Sequence, residues 1–76
     1  MKAYVLVNIR PGEIREVVKL MRRVEGVREA NMTFGPYDAV AVVNTNDISH
    51  LGRILSQHIQ PIPGVTQTLT CLAVEE

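Results

Sequence analysis

The chain has 76 residues, 46% of them hydrophobic and 4% aromatic, and its eight Lys or Arg residues cancel its eight Asp or Glu residues to a formal net charge of zero. That length admits one hydrophobic core and excludes a two-domain enzyme, while the even charge, with no basic stretch, argues against a stand-alone nucleic-acid or anionic-lipid binder. A domain this small buries only about 60% of the surface its unfolded chain exposes, and its single cysteine, Cys71, closes no intrachain disulfide, so oligomerisation is the expected supplement to stability.

Residues 2–9 are rich in β-branched and aromatic side chains and end at Arg10-Pro11-Gly12, which reads as a first strand closed by turn residues. This apolar run is far shorter than the ~20 residues of a membrane span, and the chain is read as soluble and cytoplasmic, with no membrane partner. From Glu13 the period changes: Ile14, Val17, Val18, Met21 and Val24 form one helical stripe, predicting a helix over residues 13–24 that Gly26 stops. Its acids, Glu13 and Glu16, lie early and its bases, Lys19, Arg22 and Arg23, lie late, in agreement with the helix dipole.

Residues 27–34 and 37–45 read as two strands joined by Gly35-Pro36, which suits a two-residue hairpin. The resulting register pairs Phe34 with Tyr37, Met32 with Ala39 and Ala30 with Ala41 on one side, and Thr33 with Asp38, Asn31 with Val40 and Glu29 with Val42 on the other. Thr45-Asn46-Asp47 supplies N-cap candidates for a second helix, along which Ile48, Leu51, Leu55 and His58 or Ile59 recur until Pro61 and Pro63 end it. Gly64 then leads into a last strand over residues 65–74, and Glu75-Glu76 reads as a solvated tail.

The order βαββαβ predicts an α+β, ferredoxin-like plait: two right-handed split βαβ units give a four-stranded antiparallel sheet in the order 4-1-3-2, with both helices on one face. The first strand is apolar on both alternations, with Ala3, Val5, Val7 and Ile9 on one and Tyr4 and Leu6 on the other. Val40, Val42, Leu72 and Val74 join the alternates assigned to the second face. An apolar sheet face without helices is expected to meet a second copy in a twofold sheet-to-sheet dimer.

Candidate chemistry is sparse. Cys71, in an apolar strand, reads as a buried structural thiol. His50 and His58 stand about 12 Å apart along a helix axis, which does not let them share a metal, and they read as surface or flanking residues. Arg10-Pro11-Gly12 reads as a loop and cap in preference to an anion cradle. The segment Gly35-Pro36-Tyr37-Asp38 is the most informative. The hairpin register sets Asp38, Thr33 and Asn31 on the face opposite the helices, where a carboxylate with amide and hydroxyl neighbours can hold the ammonium of a zwitterion and free hairpin amides its carboxylate. Thr68 and Thr70 are added as hydroxyls that a neighbouring subunit brings near.

The strand ending at Pro11-Gly12, Gly26-Val27 after the first helix, the Gly35-Pro36-Tyr37-Asp38 hairpin, and Pro63-Gly64-Val65 followed by Thr68-x-Thr70 together resemble the effector domain of the Lrp/AsnC transcription regulators, the RAM domain (regulation of amino acid metabolism). The resemblance spans essentially the whole chain. It implies a sheet-to-sheet homodimer assembling into a ring, commonly an octamer, with an amino acid effector bound between dimers near the hairpin. It carries ligand contact onto Gly35, Tyr37 and Asp38, with Thr68 and Thr70 as secondary positions, whereas Asn31 and Thr33 come from the register alone. The helix-turn-helix of those regulators has no counterpart in residues 1–76, so the chain is expected to be a single domain without direct nucleic-acid contact.

The leading expectation is a non-enzymatic sensor that needs no cofactor, binds an amino acid, and shifts its assembly with itself or with full-length Lrp/AsnC regulators. An ACT-type regulatory domain is a rival of the same class. From other classes come a small dimeric α+β-barrel enzyme, for which Asn8, His50 and His58 are the available polar groups, and a purely structural oligomerisation module.

Overall fold

The computed structural model describes residues 1–74; the tail expected at Glu75 and Glu76 lies outside the described residues. The chain runs β1 (Lys2–Ile9), α1 (Ile14–Met21), β2 (Val27–Met32), β3 (Ala39–Asn44), α2 (Ile48–Ile54) continued by a π-helical turn (Leu55–Ile59), and β4 (Val65–Leu72). The sheet order is β2-β3-β1-β4, with all three pairings antiparallel, as the element order predicts.

Alternation along β1 decides what becomes core. Val5 and Val7 are fully buried and Ala3 and Ile9 nearly so, whereas the residues between them remain partly exposed. On the covered face they meet Ala39, Ala41 and Val43 from β3, Ala30 from β2, and Val17, Val18 and Met21 from α1. Each fully buried side chain the size of valine or methionine contributes about 1.5–3 kcal/mol. Arg22 fastens the end of α1 to the sheet by donating from Nε to the Ala30 carbonyl at 2.9 Å. The α1–β2 turn is tight because Gly26 has φ 98°, and a Cβ there would stand 2.8 Å from Ile54 Cδ1.

The second helix starts where the N-cap residues place it: Asp47 accepts from the His50 amide at 2.8 Å. Its buried stripe differs from the expectation. Ile48 is exposed, Leu55 is half-buried, and Leu51, Ile54 and Ile59 face the core. The five-residue step from Ile54 to Ile59 fits the wider winding of Leu55–Ile59, whose Gln60 amide donates to the Leu55 carbonyl at 2.8 Å. Pro61, which lacks an N–H and crowds the carbonyl four residues earlier, favours that wider turn.

The strands are shorter at the hairpin than the sequence predicts. The ladder ends at Met32–Ala39, one further bond joins the Thr33 amide to the Asp38 carbonyl, and residues 34–37 form an open loop rather than a two-residue turn with Phe34 paired to Tyr37. A side-chain bond explains the opening: Thr33 Oγ1 donates to the Tyr37 carbonyl at 2.7 Å, taking the place of a backbone partner. The register itself holds, with Ala30 opposite Ala41 and Asn31 opposite Val40. The two helices also end or begin inside the predicted limits, α1 covering Ile14–Met21.

Among the described residues, no helix covers the other sheet face. Tyr4, Leu6, Asn8, Asn31, Val40, Val42, Gln67, Leu69 and Cys71 alternate onto it. Two assignments change here. Leu72 pairs with Ala3 and so lies on the helix side, because the register of β4 is fixed by Tyr4 opposite Cys71. That same pairing leaves Cys71 exposed rather than buried, since no described residue covers the face it points from.

Candidate functional site

The covered face is apolar beyond the reach of the helices. Met32 sits on the helix side of β2 but is half-exposed, and Phe34, in the open loop, is fully exposed. Ile14 at the start of α1 approaches the same place. Ile14, Met32, Thr33, Phe34, Gly35 and Asp38 together line a recess of about 510 Å³ between the hairpin and the beginning of the first helix. A recess of this size matches a small-molecule site.

Asp38 is its anchor. The Asp38 amide donates to the Val7 carbonyl at 2.9 Å, and its Oδ2 accepts from the Ile9 amide at 2.7 Å. The carboxylate thus finishes the β1 ladder where the backbone of the loop departs from it. One carboxylate holds about four acceptor positions, so Oδ1 and the second lone pair of Oδ2 remain for a cation or donor. The loop is equally prepared for an acceptor. Among the described residues, the amides of Phe34, Gly35 and Tyr37 donate to no protein acceptor, and Pro36 has no N–H to offer. Gly35 holds φ 137°, a conformation that a side chain resists, and a Cβ there would meet nothing within 4 Å.

The structure therefore brings Thr33, Gly35 and Asp38 together at one recess, with the Tyr37 carbonyl bonded to Thr33 at its rim. Asn31 is separate: it lies on the open face opposite Val40, with its amide donating to Glu29 Oε1 at 3.2 Å. Thr68 and Thr70 lie on β4, at the opposite edge of the sheet from β2, and alternate with Val7 and Val5 onto the helix side. Thr68 Oγ1 there accepts from Gln60 Nε2 at 3.2 Å. Within one protomer these threonines do not join the hairpin group. Arg10 does not form an anion cradle either, because its guanidinium is paired with Glu13 at 2.8 Å. That contact draws the Glu13 carboxyl below its ordinary range and raises Arg10.

Ile14, Met32 and Phe34 were missed as lining residues. The signal for Met32 and Phe34 was present as an apolar alternation from Ala30 that runs past the last residue a short helix can cover, and Ile14 stood first in the helical stripe.

Residues 2–76 match the family described as the Lrp/AsnC ligand binding domain. The chain is 31% identical over 75 residues to the HTH-type transcriptional regulator FL11 of Pyrococcus abyssi, a match covering 99% of this chain and 49% of the relative. It spans about half the length of several curated relatives it matches. The crystal structure of TTHA0845 from Thermus thermophilus superposes with a TM-score of 0.94 at 31% identity, covering 99% of this chain and 94% of that one. The transcriptional regulator NMB0573 from Neisseria meningitidis, crystallised as an L-Met complex, shares the fold with a TM-score of 0.87 at 18% identity, covering 99% of this chain and 50% of that one.

Proposed function

The chain belongs to the Lrp/AsnC family through its ligand-binding domain, and from that membership we propose that it is a non-enzymatic amino-acid sensor whose assembly shifts when the ligand binds. The observation that carries the reading is the hairpin recess. Asp38 supplies negative charge, the unpartnered amides of residues 34 and 35 supply donors, and Ile14, Met32 and Phe34 supply an apolar wall. A zwitterion with an apolar side chain requires these three features together. The L-Met held by the distant fold relative is a ligand of that chemical type. The relatives' names as transcription regulators support a role without catalysis.

The open face supports assembly. Tyr4 and Leu69 are 38% and 47% exposed there, beside half-buried Leu6, Val40 and Val42. Pairing with a second copy removes this apolar surface from water. Dimers joined around their hairpins form the octamer that the family implies, and the recess then becomes shared between dimers, where Thr68 or Thr70 of another copy can approach it. Mixed assembly with full-length relatives is the route by which such a chain modulates transcription. Ligand changes assembly only if it binds the two states with different affinity.

Calorimetric titration with the common L-amino acids, combined with light scattering, tests the proposal. At least one amino acid with an apolar side chain is expected to bind and to change the mass distribution. Asp38→Asn keeps an acceptor for the Ile9 amide while removing the charge, and is expected to retain the fold and weaken binding by about tenfold or more. Indifference of mass and heat to every amino acid overturns the sensor and leaves a structural oligomerisation module.

A further inference from the structure

A second recess, sharing no lining residue with the first, lies between the end of α1 and the second helix and has a volume of about 430 Å³. Its chemistry is the opposite. Arg23, Arg53, His50 and His58 line it, against one carboxylate, Glu25. The whole chain has eight Lys or Arg and two His balanced by eight acids, so this concentration is not a reflection of composition. Among the described residues neither arginine takes part in an ion pair or donates a side-chain hydrogen bond; Arg10–Glu13 is the one ion pair there. Two guanidiniums with unmet donors thus border one concavity whose wall includes the apolar Leu20, Val24 and Ile54.

The winding of the second helix contributes to the same place. Gln57 and His58 belong to the π-helical turn Leu55–Ile59, and both line the recess with His50, Arg53 and Ile54 from the α-helical part. Such turns recur at functional sites because they re-aim side chains that a regular helix spreads apart. The planar fork of arginine matches phosphate oxygens in bidentate geometry, and imidazole and amide N–H groups add further donors. Four basic side chains in one concavity of a net-neutral chain do not make the extended basic stripe that a nucleic-acid backbone requires. The apolar wall suits an organic portion attached to the anion.

We propose that this inter-helix recess binds a phosphorylated small molecule, with Arg23 and Arg53 holding the phosphate oxygens and His50, His58 and Gln57 donating around them. The site is independent of the hairpin recess. The test is calorimetric titration of the full chain with pyrophosphate and with AMP at low salt, with succinate as a non-phosphate dianion and duplex DNA as a polyanion. Saturable binding of pyrophosphate or AMP with a Kd of roughly 1 mM or tighter is expected. Arg23→Gln and Arg53→Gln should each weaken it by about tenfold. Lys2→Gln, at a recess elsewhere on the surface, should leave it unchanged. Both arginines are exposed, and should either variant lose its circular dichroism signal, the other carries the same comparison. Absence of saturable binding by either probe, wild-type affinity in both arginine variants, equal affinity for succinate, or stronger binding of duplex DNA overturns the proposal. Amino-acid binding that survives in Arg23→Gln and Arg53→Gln keeps this result distinct from the fate of the hairpin reading.

Discussion

The two faces of the sheet are built from the same strands and yet have different fates. On β1, Val5 and Val7 are sealed beneath the helices, while Tyr4 and Leu6, one residue away, stay in partial contact with water. The difference lies in where the two helices pack. Two short helices cover one face of the four-stranded sheet, and no element among the described residues covers the other. The closed face consequently sets whether the protomer folds, and the open face is the surface proposed for association with a second copy.

Substitution of aspartate at adjacent positions of β1 separates the two roles most sharply. Val7→Asp places an unpaired charge in the sealed layer and is expected to cost about 3–5 kcal/mol, enough to unfold a domain this small, as chemical denaturation followed by circular dichroism would show. Leu6→Asp puts the same charge on the open face. It is expected to leave secondary structure intact and to shift sedimentation velocity to the smallest species; a Leu6→Asp protein that keeps the wild-type mass would remove the open face as an assembly surface.

A smaller effect probes how the covering layer is seated. Gly26→Ala requires a strained φ and pushes on Ile54 Cδ1, with an expected loss of about 1–3 kcal/mol in denaturant midpoint measurements. The same exchange at Gly35 meets no neighbour, so it should cost only the torsional part, about 1–3 kcal/mol. A larger loss at Gly35 than at Gly26 would contradict the packing described for the α1–β2 turn.

The smallest effect belongs to the exposed Arg10–Glu13 contact. The folded-state pKa of Glu13 is lowered, chiefly by its hydrogen bond to Arg10. Its contribution is therefore present above the unfolded pKa of Glu13 and is lost as pH falls through the folded value. Glu13→Gln should flatten slightly the acid limb of a stability-against-pH profile, with its small loss falling at neutral pH and vanishing as pH drops below the folded value.

Much of this architecture was legible in the residues. The β-branched and aromatic residues ending at Arg10-Pro11-Gly12 marked β1, and the stripe of Val17, Val18 and Met21 marked the buried side of α1, because burial of one helix face imposes a repeat on the chain. The hairpin was legible in register but not in shape: Gly35-Pro36 is compatible with a tight turn, and the Thr33 hydroxyl bond to the Tyr37 carbonyl, which favours the open loop, leaves no periodic trace. Cys71 was misread for a related reason. An apolar strand announces burial against something, and the thiol faces the side that its own protomer leaves bare.

The candidate site shows the same division. Gly35 and Asp38 stand out in sequence as turn residues beside an aromatic, and both line the recess. The bond from the Ile9 amide to Asp38, spanning 29 positions, could not be read from local pattern. Nor could the presence of Arg23 and Arg53 at one recess.

The sequence by itself determined the order of elements, the strand order and the face that the helices cover, since these follow from periodicity, capping and the handedness of βαβ connections. Only the tertiary structure decided where the helices stop covering the sheet, which carboxylate closes the β1 ladder, and which basic groups share a concavity. Those outcomes depend on distances between residues far apart in the chain, and such distances are fixed by packing rather than by any repeat along it.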